Sequence, residues 1–155
     1  DLVRSRGLGD VYKRQALSKL YSREFYSLLM ERVSTTGVLV TQAGSPVYAR
    51  EAFWSVVRTW EDVRNPAAPD TGLTILPYHA YVPSFGEWGF VIVEPLARRA
   101  RPLDLPEGLR FLTPEVWQGA QVFAADTDRV EVEPNTLQTH RLVDYYLSGW
   151  DHWFR

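Results

Sequence analysis

The chain has 155 residues, 45% hydrophobic and 23% charged, with a formal net charge of -2 and no cysteine. That length fits one domain with a core of its own, and the charge gives no electrostatic basis for nucleic-acid binding, which calls for a basic excess. Without cysteine there is no disulfide, zinc–thiolate site or thiol nucleophile, and no apolar run approaches the ~18 residues of a membrane-spanning helix.

Residues 1–15, DLVRSRGLGDVYKRQ, lack helical or strand periodicity and are expected to be a foreign, adapter-like segment outside the functional unit. Gly7-Leu8-Gly9-Asp10 lacks the preceding strand and the further glycines that a nucleotide loop requires. From Ala16 the apolar residues Leu17, Leu20, Tyr21, Phe25, Leu28, Leu29 and Val33 recur at helical spacing, predicting one amphipathic helix that Thr36-Gly37 stops. Residues 38–41 are a short apolar run, as in a strand covered on both faces. Gly44-Ser45-Pro46 turns the chain into a second helix, capped near Ser45, whose buried face is Ala52, Phe53, Val56, Val57 and Trp60. The loop from Asn65 to Asp70 ends it.

Residues 73–82 and 88–94 read as strands joined by 83–87, and a joint so short forces an antiparallel pair. Beyond Pro95 the prolines Pro102 and Pro106 mark an extended linker, and Arg98, Arg99 and Arg101 form the single basic knot, read as solvated. Thr113-Pro114-Glu115 is a helix start, with the helix running to about Val122. Residues 126–135 are acidic, a loop with a short extended piece, and 139–153 a last helix burying Leu142, Val143, Tyr146 and Trp150. The fold class is α/β: the closing half of a helix-sandwiched sheet that ends in an antiparallel hairpin, followed by C-terminal helices.

Clefts in open α/β sheets form at strand ends, and this places Gln42, Tyr78, His79 and Glu87 as candidates. Each has a plain structural alternative. Gln42 could cap a turn, Tyr78 or His79 could be a satisfied core residue, and Glu87 could be a solvated turn carboxylate. Tyr78 and His79 are strand neighbours, so one of the two is expected to face the cleft. The tryptophans Trp54, Trp60, Trp117, Trp150 and Trp153 are expected in the core, and Phe85 and Trp88 around the hairpin turn. His140 and His152 are isolated, and no cluster has metal-ligand spacing.

The blocks LYSREFYSLLMERVSTTGVLVTQAGSP, PYHAYVPSFGEWGF and NTLQTHRLVDYYLSGWDHW resemble the polyamine aminopropyltransferases, the spermidine synthase family. The resemblance is to the C-terminal part of bacterial members, especially those with an N-terminal membrane region, and runs from about Ala16 to the end. It implies a methyltransferase-like, Rossmann-like sheet. It also implies transfer of an aminopropyl group from decarboxylated S-adenosylmethionine, as cosubstrate, to putrescine or a related amine. Residues 16–95 then form the C-terminal half of the catalytic domain and 96–155 a helical extension, with Gln42, Tyr78 or His79, and Glu87 holding the amine. The family's glycine-rich loop, ribose-binding acid and aspartate–proline catalytic loop should precede Ala16, where this sequence has DVYKRQ. No catalytic base is therefore assigned, Asp10 is not promoted to the role, and the chain alone is expected to be inactive. By the same resemblance the parent is a cytoplasmic homo-oligomer, free or attached at the inner membrane. The alternatives are a generic S-adenosylmethionine-dependent methyltransferase-like enzyme and a non-catalytic interaction module.

Overall fold

The computed structural model describes residues 16–66, 70, 72–95 and 105–153. The expectations for residues 1–15, for Arg98, Arg99, Arg101 and Pro102, and for the side chains of His152 and Trp153 lie outside the described residues.

The first helix is not continuous. A helical lead-in over 16–18 passes into a 3-10 turn, Lys19–Tyr21, and Ser22 then adopts an extended backbone before α1, Arg23–Met30. Ser22 Oγ accepts from Phe25 N at 3.2 Å and donates to Lys19 O, so one buried hydroxyl ends the turn and caps the helix. The break resets the buried face. Tyr26 and Met30 go inside, whereas Leu17, Leu20 and Leu28 of the expected apolar stripe are exposed. α1 also stops well short of Gly37.

The sheet has three strands, β1 (Leu39–Gly44), β2 (Thr74–Val82) and β3 (Gly86–Glu94), in the order β1-β3-β2 with both pairings antiparallel. β1 and β2 therefore run parallel to each other with the returning strand between them, the partial Rossmann-like α/β arrangement read from the sequence. Two details differ. β1 is not covered on both faces, since Val40 is 58% exposed. The hairpin turn is also tighter than 83–87, because Ser84 and Gly86 take positive φ and Glu87 enters β3 opposite Tyr81.

Alternation fixes the two faces of the sheet. One face carries Val91 and Val93, both fully buried, beneath α2 (Arg50–Glu61). α2 buries the expected residues Ala52, Phe53, Val56, Val57 and Trp60, and Trp60 stacks on Tyr26 with ring centroids 3.8 Å apart. Ser45 caps the turn before α2 instead of α2 itself, accepting from Val47 N and Tyr48 N at 3.3 Å. Gly89 lets α2 approach closely: a Cβ there would lie 2.3 Å from Phe53 Cε2.

The opposite face presents Val40, Gln42, Leu76, Tyr78, Trp88, Phe90 and Ile92. α3 (Pro114–Gly119), capped by Thr113 Oγ1, brings Trp117 against Tyr78, and His79 N donates to Ala120 O at 2.9 Å. This strap bonds the outer edge of β2 at His79, and its helix ends before Val122. The irregular segment from Ala124 to Asn135 is fastened to α2 by side chains. Trp54 Nε1 donates to Thr127 O, Arg50 to Ala125 O and Asp128 O, and Ser55 Oγ to Glu133 O. α4 (Arg141–Trp153) starts two residues later than expected and packs on α2; Val143 is buried, but Tyr146 is 37% exposed.

Candidate functional site

β1 ends in an irregularity. Its register against β3 shifts between Gln42 and Gly44, and Gly44 takes φ 81° to hand the chain to the Ser45 turn. Such bulges bend a strand and re-aim its side chains. Here the bend opens a cleft of about 410 Å³ at the carboxyl end of β1. Gln42, Ala43 and Gly44 form its sheet side together with Trp88 of β3. Leu17, Ser18 and Tyr21 of the lead-in form a second wall, Ala52 and Val56 of α2 a third, and Leu142, Val143 and Tyr146 of α4 the last.

The lining is apolar with a few polar groups: a carboxamide, two phenols and a serine hydroxyl. Burial pushes the Tyr21 phenol above its ordinary range, which keeps it neutral. Among the described residues, no carboxylate and no cation lines the cleft. Such a cleft accepts alkyl chains along its walls and offers the amide oxygen of Gln42 as an acceptor.

The other three candidates lie elsewhere on the sheet. Gln42, Phe90 and Tyr78 are register partners across all three strands, so Tyr78 shares the face of Gln42. Two strand spacings, roughly 10 Å, separate them. Tyr78 stacks on Phe90 at 5.3 Å and meets Trp117 at 5.4 Å, and burial raises its phenol too. His79 points to the opposite face, where Nδ1 meets Glu87 Oε1, Nε2 bonds Val122 O at 2.8 Å, and the ring lies 4.9 Å from Phe123. A carbonyl only accepts, so Nε2 carries a proton. His79 and Glu87 thus occupy each other and hold the strap, while Gln42 is the one candidate lining the cleft.

No protein-family profile matches the chain. It is 39% identical over 140 residues to a polyamine aminopropyltransferase of Leptospira interrogans, covering 88% of this chain and 26% of that protein. Polyamine aminopropyltransferase 2 of Ralstonia nicotianae is 39% identical over 136 residues (87% of this chain, 25% of that protein). The polyamine aminopropyltransferase of Mycobacterium tuberculosis is 36% identical over 138 (87% and 25%). Over nearly nine-tenths of its length the chain is thus a relative of the polyamine aminopropyltransferases. It spans about a quarter of the length of these relatives.

Sequence reasoning missed most of the cleft. Trp88 was assigned to turn packing, and it does meet Phe85 edge-on at 5.3 Å, yet it also lines the cleft. Tyr21 and Tyr146 were assigned to buried helix faces, and Ser18 drew no attention. An available signal was a tyrosine within an apolar helical stripe at each of two places distant in sequence, Tyr21 and Tyr146. Among the described residues, no group of three or more His, Asp or Glu is placed to hold a metal, and no helix is long and apolar enough to cross a membrane.

Proposed function

We propose that this chain supplies the amine-holding part of an aminopropyl-transfer site. In the whole protein, decarboxylated S-adenosylmethionine is the cosubstrate and putrescine or a related small polyamine the acceptor. The reading is supported by the position of Gln42 at a mostly apolar cleft on a strand end, in a chain related to proteins named for that activity. The methylenes of a diamine lie against Leu17, Val56 and Leu142, and the Gln42 amide oxygen accepts an N–H. The rings of Tyr21, Trp88 and Tyr146 favour a cationic far end. Tyr78, in register with Gln42, is the second polar contact, reached by the longer end of the acceptor. Glu87 supplies the negative charge of the hairpin, and His79, paired with it, orders the turn from the other face.

In the reaction the amine lone pair attacks the carbon next to the sulfonium. The C–N bond forms, the C–S bond breaks with its electron pair going to sulfur, and the amine proton passes to a base. An alkyl amine is largely protonated at neutral pH, with an ordinary pKa of about 10, so the base also removes the proton that blocks attack. Among the described residues no carboxylate lines the cleft to do this, so these residues hold the acceptor without activating it, and we assign the cosubstrate site and base to other parts of the protein. We assign residues 16–95 to the catalytic domain and 96–155 to a helical extension, in a cytoplasmic, homo-oligomeric parent free or attached at the inner membrane.

Two measurements test this. Putrescine titrated into the isotope-labelled chain should shift the Gln42 side-chain amide and the Trp88 indole signals, and Gln42→Leu should abolish the shifts. The chain should release no methylthioadenosine from decarboxylated S-adenosylmethionine and putrescine. Absence of diamine-induced shifts would defeat the amine-holding assignment, and turnover would defeat the assignment of the base elsewhere.

A further inference from the structure

We propose that Asn135 is the positioning residue of this cleft, setting the lead-in wall relative to the other walls. The inference deepens the amine-holding reading and rests on it for its binding test. Asn135 is fully buried, and each of its polar groups is engaged. Its N–H donates to Thr59 Oγ1 of α2 at 2.8 Å, and Oδ1 accepts from Leu142 N of α4 at 3.2 Å. Nδ2 donates to Ser18 O at 2.9 Å, and its carbonyl accepts from Arg23 N at 2.9 Å. Ser18, Leu142 and the helix bearing Thr59 are three separate walls of the cleft. One side chain and its peptide therefore connect all of them.

The walls do not depend on it equally. α2 and α4 pack directly, with Gly149 so near Tyr48 and Ala49 that a Cβ would fall 2.8 Å from backbone atoms. The lead-in is packed more lightly: Tyr21 lies against the core, but Leu17 is 62% exposed and Leu20 50%, so burial of apolar surface does less to locate it. Polar groups do more: Ser18 and Ser22 are the buried residues there. A second tie runs from Ser18 Oγ to His140 Nδ1 at 3.1 Å. His140 stands at φ 49°, an uncommon conformation outside glycine, with its N–H on Thr136 O. The turn from Asn135 to His140 thus fastens Ser18 at both its carbonyl and its hydroxyl. Loss of either tie releases Leu17, Ser18 and Tyr21 from their places opposite Gln42.

The test compares Asn135→Asp, which turns an oxygen toward Ser18 O while keeping an acceptor for Leu142 N, with Thr59→Val. The latter removes a partner of Asn135 but leaves the lead-in tie. His140→Ala, at a partly exposed position, removes only the second tie and serves if Asn135→Asp fails to fold. Both ties are read as hydrogen exchange at the Ser18–Ser22 amides, nuclear Overhauser contacts across the cleft between Tyr21 and Leu142, and the putrescine dissociation constant. A buried hydrogen bond of ordinary strength corresponds to about tenfold in an equilibrium. Asn135→Asp should therefore weaken putrescine binding roughly tenfold and accelerate lead-in exchange. His140→Ala should do the same to a smaller degree, and Thr59→Val should lower the melting temperature with neither effect. Equal effects from Asn135→Asp and Thr59→Val, or unchanged exchange and cross-cleft contacts in both tie variants, would overturn the proposal. If the unmodified chain binds no diamine, the amine-holding reading fails alone, because the exchange and contact measurements still decide the role of Asn135.

Discussion

At the scale of single residues, burial and strand alternation explain most of what the sequence could and could not reveal. Gln42 was legible because a polar residue ending an apolar run, just before Gly-Ser-Pro, has to sit at a strand end. The division between Tyr78 and His79 was legible as a division, but the sequence does not say which faces which way. That choice follows from pairing with Phe90 and Gly89, a register that no local pattern prints. Gly89 itself is a packing requirement, and Gly89→Ala should destabilise the fold by about 1–3 kcal/mol through overpacking against Phe53, read as a lowered denaturant midpoint. Tyr26 makes the pH prediction. Burial raises its phenol well above the ordinary 10.0, so the folded state keeps the proton after the unfolded chain has lost it. Below that ordinary value both states are protonated and stability owes nothing to pH. Above it the unfolded state binds fewer protons, so stability falls as pH rises. Tyr26→Phe should flatten the alkaline limb of a melting temperature profile.

At the scale of elements, the sequence reading was soundest where apolar periodicity alone decides, as in α2, whose five expected core residues are all buried. It failed where polar residues are the structural ones. The stripe from Leu17 to Val33 suggested one helix, but Ser22 breaks it by making its hydroxyl the cap of the next. A buried serine carries no hydrophobic signal, so the break and the switch to a Tyr26–Met30 face were invisible to periodicity. The same holds for Asn135, in a segment read only as an acidic loop with a short extended piece. Ser22→Ala should cost about 1 kcal/mol, the usual value of an N-cap. The loss should appear as a lower melting temperature together with faster exchange of the Phe25 amide, whereas Ser27→Ala, on the exposed side of α1, should leave both nearly unchanged.

At the scale of the whole molecule, the two edges of the sheet differ among the described residues. The strap after α3 bonds the outer edge of β2 at His79 N, but among the described residues nothing pairs with the outer edge of β1. An unpaired strand edge offers a row of N–H and C=O groups to any second strand, and proteins guard such edges with charge, proline or a bulge. β1 has its bulge only at the far end, and the run from Val38 to Ser45 contains no charged residue. Val38 and Val40 are both exposed there, and the sheet face beside them continues through Phe90 and Ile92. Two copies can pair their β1 edges antiparallel about a twofold axis without bringing like charges together. The chain should therefore associate in a concentration-dependent way, seen as rising mass in sedimentation equilibrium. Val40→Lys should return it toward monomer by placing two cations across the shared edge. Because Val40 is already in water, that substitution should change the stability of the folded chain by no more than about 0.5 kcal/mol. A chain that stays monomeric at high concentration would make the association prediction wrong.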